Sequence, residues 1–210
     1  LINTAGLYAD KVAKACGLHH RYTMLPFKGL YYEIKPSSEI KINHLIYPVP
    51  DMNVPFLGIH FTKTVSGQVY VGPTAVPALG REHYRGLKDI NMKETIPVLY
   101  HLLRQYRHNK QNFRNYTHRE VFNFLKPKFV NTAQSLVPSL ISSDLSLSGK
   151  VGIRAQLLDI LDCRLVMDFL IEQTNHETHI MNAVSPAFTS AFGFSDYVVG
   201  LLENKQSIPA

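Results

Sequence analysis

The stretch LINTAGLYADKVAKACG, residues 1–17, opens the chain and decides how its fold is read. Residues 1–4 predict a short buried strand, and Ala5-Gly6 predicts a turn. Leu7, Ala9, Val12 and Ala15 then recur close to helical spacing, which predicts a helix over 7–15 ended by Gly17. A strand, a glycine turn and a helix make one step of a dinucleotide-binding layer, where the turn lets backbone approach a phosphate or ribose. A purely structural turn fits the same residues.

Outward from there the character changes. Residues 27–34, 45–49, 57–64 and 68–71 are short runs rich in Tyr, Ile, Val and Thr, divided by Pro, Asn and Gly. They predict a mostly antiparallel sheet, with Pro48, Pro50 and Pro55 confined to strand edges or ends. Residues 95–106 carry Ile96, Val98, Leu99, Leu102 and Leu103 at amphipathic helical spacing, and shorter runs at 122–125 and 129–136 predict one or two more helices. Pro127 and Pro138 mark helix ends or starts. Residues 142–148 (SSDLSLS) read as a linker-like loop. Strand signals return at 151–157, 165–170 and 179–183. Ser185-Pro186 predicts a cap and first turn for a last helix over 187–202.

Composition narrows the class. The chain has 210 residues, 45% of them hydrophobic and 18% charged, an ordinary globular mixture that argues against disorder, collagen and coiled coil. Two cysteines, Cys16 and Cys163, form neither a disulfide framework nor metal-ligand spacing; the reading is a reducing compartment and no metal. No apolar run approaches the ~20 residues a transmembrane helix needs. The formal net charge of +6 favours anionic partners by weak steering. The densest basic stretch, residues 104–119, has no nucleic-acid motif around it and reads as a solvated helix with its flanking loop; no nucleic-acid partner is expected. The chain opens without methionine or a charged leader, which reads as the C-terminal portion of a longer protein.

Eight runs taken together resemble a known family. They are NTAGLYAD (3–10), PFKGLYY (26–32), LIYPVPD (45–51), PFLGIHFT (55–62), GPTAVPALGREHY (72–84), VGIRAQLLD (151–159), LVMDF (165–169) and HIMNAVSPAFTSA (179–191). Their order and spacing resemble the L-2-hydroxyglutarate oxidase/dehydrogenase family, flavin enzymes related to D-amino-acid oxidase and glycerol-3-phosphate dehydrogenase. The resemblance covers essentially the whole chain. It implies FAD-dependent oxidation of L-2-hydroxyglutarate to 2-oxoglutarate by hydride transfer to flavin. The alternatives are a related flavin oxidase acting on an amino acid or glycerol 3-phosphate, and a non-catalytic, FAD-free fragment. The implied fold is α+β: a large mixed or antiparallel substrate-domain sheet with flanking helices, and partial Rossmann-like FAD-domain segments at both ends. The implied domains are residues 1–20 (FAD domain), 21–172 (substrate domain) and 173–210 (closing FAD-domain strand and helix). The family's G-x-G-x-x-G phosphate cradle is not in these 210 residues, so FAD binding by them alone is expected to be weak or absent.

The chemistry needs a grip on carboxylates and a base for the hydroxyl proton. Arg154, mid-strand among Val151, Ile153, Ala155 and Leu157, must find an anion, and its planar guanidinium suits a bidentate grip on a carboxylate. An outward-facing arginine, or an ion pair with Asp159 or Asp168, is the structural alternative. Strand alternation sets His60 apart from Ile59 and Phe61 and makes it the candidate base, with His179 as competitor. Tyr32 and Tyr47 are candidate pocket walls. The resemblance adds Gly6, Lys28, Gly29, Asn182, Ser185, Pro186 and Thr189 as flavin contacts, with Lys28 standing where the family commonly shows arginine. Oxygen or a quinone is the implied electron acceptor. The implied placement is cytoplasmic, or peripheral to the inner membrane, mitochondrial in a eukaryote.

Overall fold

A computed structural model describes residues 1–18, 21–49, 57–86, 88–184 and 187–206. The architecture is α+β. Strand β1 (Ile2–Asn3) enters a 3-10 turn at Gly6–Tyr8 and then helix α1 (Ala9–Ala15). This is the strand–glycine–helix step that residues 1–17 predict. Near the other end, β8 (Leu170–Gln173) and β9 (Thr178–Asn182) run antiparallel to each other, and β9 lies parallel to β1. The two ends of the chain therefore share one three-stranded sheet, order β1-β9-β8.

A larger antiparallel sheet lies between them in sequence. Its long members are β2 (Tyr22–Ile34) and β6 (Leu145–Asp159), paired over almost their whole length. The outer strands are β3 (His60–Lys63), β4 (Val69–Gly72) and β7 (Arg164–Leu165), giving the order β3-β4-β2-β6-β7, with the short β5 (Val76–Pro77) also on β2. A register shift between Leu30 and Tyr32 interrupts the β2–β6 ladder. Such a bulge re-aims the side chains beyond it.

Helices α2 (Met92–His108), α3 (Phe113–Asn123) and α4 (Lys126–Gln134) pack on this sheet, and α5 (Ala191–Gln206) closes the described chain. Asn91 caps α2 by accepting from the Lys93 amide at 3.1 Å, and Asn109 ends it in the left-handed region. Pro127 sits in the first turn of α4, where its missing N–H costs nothing.

Alternation along β2 and β6 sorts the core. Leu25, Phe27 and Leu158 pack with Val98, Phe113 and Tyr116 of α2 and α3. Farther along, Phe61, Val71 and Leu145 pack with Phe129 and Ala133 of α4. The opposite face carries Met24 and Leu157, which meet Ala9, Ala13 and Met181 and so join the large sheet to the small one. A buried fork fixes the same seam. Arg81 donates to both carboxylate oxygens of Asp10 on α1 at 2.8 Å, and Asp10 also accepts from the Met24 amide at 2.9 Å.

Several expectations are corrected. Residues 142–148 are no linker: a 3-10 turn at Ser142–Asp144 runs directly into β6. The apolar spacing of Leu145 and Leu147 was hidden among serines. Residues 45–49 supply only an isolated bridge, Ile46 to Phe61. The strand expected over 165–170 is two strands in different sheets, because Asn182 binds the Val166 and Asp168 carbonyls across the break. β8 starts at Leu170 and pairs with β9, so the small sheet begins before residue 173. The last helix starts at Ala191, after turns at 187–190, and its expected cap at Ser185 and Pro186 lies outside the described residues.

Candidate active site

The sheet brings four residues near one another through backbone register. Arg154 on β6 stands directly opposite Phe27 on β2, and His60 at the start of β3 stands opposite Gly72 on β4. Tyr47 stacks on His60, ring centroids 4.5 Å apart and planes 23° apart. Tyr31 lies at the bulge, edge-on to Tyr70 at 6.4 Å. The charge of Arg154 acts on His60, on Tyr31, and on Tyr116 and Glu120 of α3. Arg154 is half-buried. Asp159 is engaged by Arg21 instead, and Asp168 accepts from the Phe169 amide, so these two acids have their own partners.

His60 has a defined tautomer. Its Nδ1 lies 2.9 Å from the Gly58 carbonyl, which can only accept, so Nδ1 carries the proton. Nε2 then carries the lone pair, with no hydrogen-bond partner among the described residues. Burial lowers the His60 pKa below its ordinary value, the Gly58 carbonyl opposes this, and the Arg154 charge lowers it further. The ring is a neutral base at pH 7.

Glu120 and Tyr116 are the site neighbours that the sequence did not reveal. Glu120 accepts from the Ala75 amide at 3.0 Å, and Tyr116 donates to the Ala75 carbonyl at 3.1 Å. Burial raises the Glu120 carboxyl pKa, while the Ala75 amide and the Arg119 and Arg154 charges pull it down. Glu120 directly follows the basic stretch 104–119, where nothing in the sequence distinguishes it from a solvated acid. A cavity of about 180 Å³ lies here, lined by Pro48, Gly58, Pro73, Tyr116 and Glu120 among others. A larger cavity of about 650 Å³ lies between α1 and α2. Its charges are largely spent on one another, Arg81 on Asp10 and Lys11 on Glu94, so it carries no comparable chemistry.

The other expected site residues are distributed. Tyr32 packs on Phe129 at 4.6 Å within the α4 core; Tyr31, which shares the face of Phe27 and Arg154 by alternation along β2, is the tyrosine that feels Arg154 and Tyr47. His179 is fully buried in the small sheet, Nδ1 3.0 Å from Asn3 and Nε2 3.1 Å from Glu177, and does not join His60. Gly29 is accounted for by packing: a Cβ there would lie 2.7 Å from the Pro73 ring. Lys28 is buried on the opposite face from Arg154, beside Ile153 in register, and burial lowers its pKa. Thr189 lies in the turns before α5, and Ser185 and Pro186 fall outside the described residues.

Two observations test whether the chain suits a flavin dinucleotide. Gly6 has φ +53°, and nothing lies within 4 Å of where a Cβ would project, so the turn after β1 is open to close approach. Asn182, almost fully buried, uses its Nδ2 on two carbonyls, while its Oδ1 has no partner among the described residues. A buried acceptor without a donor is costly and suits a ligand N–H. The residues present fit the cofactor.

Cys16, Glu177 and His179 place possible ligand atoms within 4.8 Å of one another, a juxtaposition that sequence spacing did not suggest. The hydrogen bonding works against a metal there. Asn3 accepts from the Ala5 amide and donates to the Ala9 carbonyl, which fixes its amide and turns a donor toward His179 Nδ1. The proton is thereby held on Nε2, the atom a metal would need.

Comparison with known proteins agrees with this geometry. The family described as FAD dependent oxidoreductase (DAO) matches residues 1–201. The chain is 36% identical to an L-2-hydroxyglutarate dehydrogenase of Salmonella houtenae, covering 100% of this chain and 49% of that protein. It is 37% identical to the enzyme of that name from Escherichia coli K12, over 97% of this chain and 47% of the relative. The human mitochondrial L-2-hydroxyglutarate dehydrogenase is 34% identical, over 98% and 44%. The chain thus spans about half the length of the curated relatives it matches. A solved structure of the L-alpha-glycerophosphate oxidase from Mycoplasma pneumoniae with FAD bound superposes with a TM-score of 0.59 at 18% identity, covering 96% of this chain and 42% of that one, which shows a shared fold. By its match over nearly its whole length, the chain belongs to the DAO family of FAD dependent oxidoreductases.

Proposed function

We propose that this chain is part of an enzyme that oxidises L-2-hydroxyglutarate to 2-oxoglutarate, and that it supplies the substrate domain with the closing FAD-domain segments at 1–20 and 173–210. The observation that carries the reading is His60: a neutral ring, its Nδ1–H committed to Gly58, its Nε2 a free acceptor, and the Arg154 charge acting on it. Arg154 grips a substrate carboxylate bidentately. Tyr47 and Tyr31 wall the site, and Tyr47 holds the His60 ring by stacking. His60 Nε2 takes the hydroxyl proton as the carbonyl forms. When bound, the flavin would supply the acceptor for the α-hydrogen and its electron pair. Gly6, Asn182 and Thr189, with Ser185 and Pro186, would hold that cofactor, while Lys28 lies on the other face of the sheet from Arg154 and is left out of this site. Carboxylate binding also offsets the repulsion between Arg154 and a protonated His60, so the base becomes a better proton acceptor once substrate is seated. The electrons pass on to oxygen or a quinone, in the cytoplasm or at the inner membrane surface.

The test is anaerobic reduction of the full-length flavoprotein. L-2-Hydroxyglutarate should bleach the oxidised-flavin absorbance, and glycerol 3-phosphate or amino acids should not. Bleaching by one of those compounds and not by the hydroxy acid would sink the assignment.

A further inference from the structure

The outer face of α2 has no part in that chemistry. The helix turns Thr95, Val98 and Gln105 inward. On its other side Met92, Ile96, Leu99, Tyr100 and Leu103 are each 50–68% exposed, and Tyr106 continues the row. At ~100° per residue all six fall within about a third of the helix circumference. A contiguous exposed apolar row marks an interaction surface.

What borders the row selects the partner. Lys93, Arg104 and Arg107 flank it along α2, with Lys110 and Arg114 just beyond. The Arg104 guanidinium lies over the Tyr100 ring at 5.8 Å, and that of Arg114 over Tyr106 at 5.6 Å. On α2 and α3 the two acids turn away, Glu94 to Lys11 and the Arg81 amide and Glu120 to the Ala75 amide, and Asp89 before α2 accepts from the Arg85 amide. The face is therefore apolar and tyrosine-bearing, with a margin that is predominantly cationic among the described residues. A second copy of the same face would set cations against cations. No helix among the described residues is long and apolar enough to cross a membrane.

We propose that this face of α2 docks on an anionic phospholipid bilayer. Met92, Ile96, Leu99 and Leu103 would enter the boundary between headgroups and acyl chains, the tyrosines would sit at headgroup level, and the arginines would reach lipid phosphates. The inference gives a structural basis to the peripheral placement proposed above and rests on that placement, not on the identity of the substrate.

The experiment is co-sedimentation of the full-length flavoprotein with vesicles of phosphatidylcholine alone and of phosphatidylcholine with phosphatidylglycerol. The wild type should pellet with the anionic vesicles only. Arg104→Glu/Arg107→Glu should weaken binding by about 30-fold or more, since each basic residue near an anionic surface contributes a factor of about five. Leu99→Asp/Leu103→Asp should abolish it even at low salt. All these side chains are outside the active site, so flavin content and turnover with a soluble dye should match wild type. Failure of the wild type to pellet, or wild-type pelleting by the Asp variant, overturns the surface. So does a wild-type dimer that the Asp variant converts to monomer, which would assign the face to self-association. Loss of hydroxyglutarate turnover alongside intact vesicle binding would sink the oxidase reading and leave this one standing.

Discussion

His60 titrates in a direction that its surroundings set. Burial and the Arg154 charge push its pKa below the ordinary 6.5, against the pull of the Gly58 carbonyl. Only the neutral ring accepts a proton, so activity is lost as pH falls through that lowered value. The acid limb of kcat/KM for the full-length enzyme should lie below pH 6.5, and that of kcat at higher pH than that of kcat/KM, because bound carboxylate offsets the arginine. An acid limb of kcat/KM above 6.5 would remove His60 as the base. His60→Gln should lower kcat by about 10²–10⁴-fold and erase the limb. Arg154→Lys replaces a planar fork by a point charge and should raise KM for the hydroxy acid about tenfold or more, measured in steady state; an unchanged KM would take Arg154 out of the site. Both residues could be put forward as candidates from sequence, one as an arginine in an apolar run, the other by strand alternation. Tyr31 was not singled out over Tyr32, because the choice depends on which β2 residue pairs with Arg154, and one strand's alternation does not contain that register.

Among the elements, those with strong local signals came through. The glycine turn before α1, the apolar spacing of α2 and the β-rich runs in β2 and β6 each specify their own conformation. The errors fall where tertiary contacts decide. Residues 166–169 leave the strand because Asn182 claims their carbonyls, and residues 142–148 are ordered by pairing with β2. α2 also holds a residue no local rule explains. Gln105 is 1% exposed, and neither atom of its amide has a hydrogen-bond partner among the described residues. Such a group costs roughly 1–3 kcal/mol, and replacing it by an apolar side chain of similar size removes that cost. Gln105→Leu should therefore stabilise the fold, raising Tm by about 2–4 °C per kcal/mol recovered in thermal unfolding of the full-length protein. A lowered Tm would mean the amide is satisfied by an ordered water. The opposite case is Asp10, where removing one partner strands the buried Arg81 charge; Asp10→Ala should cost about 3–5 kcal/mol in denaturant unfolding, with Asp10→Ala/Arg81→Met recovering part of it.

At the scale of the molecule, the first and last strands meet in one sheet, β1 beside β9, so the segments at the two ends of the chain build one unit, which we propose faces the flavin. They bring an open glycine turn and an unpartnered Asn182 oxygen. They do not bring a G-x-G-x-x-G turn, whose backbone amides and helix N-terminus would hold the pyrophosphate. On the proposed reading, these 210 residues would then offer the dinucleotide only part of its contacts, without the main pyrophosphate cradle, against the full entropy of immobilising it. The 210-residue chain purified by itself should carry little or no FAD in a visible absorbance scan, while the full-length protein carries it stoichiometrically. The seam made by Met24, Leu157 and Met181 with α1 gives the chain its own connection between the two sheets, so loss of FAD should leave the far-ultraviolet circular dichroism of a folded α+β protein. Stoichiometric FAD in the isolated chain would show that the ring contacts suffice. A chain that is unfolded as well as flavin-free would show instead that the seam does not hold the two sheets together unaided.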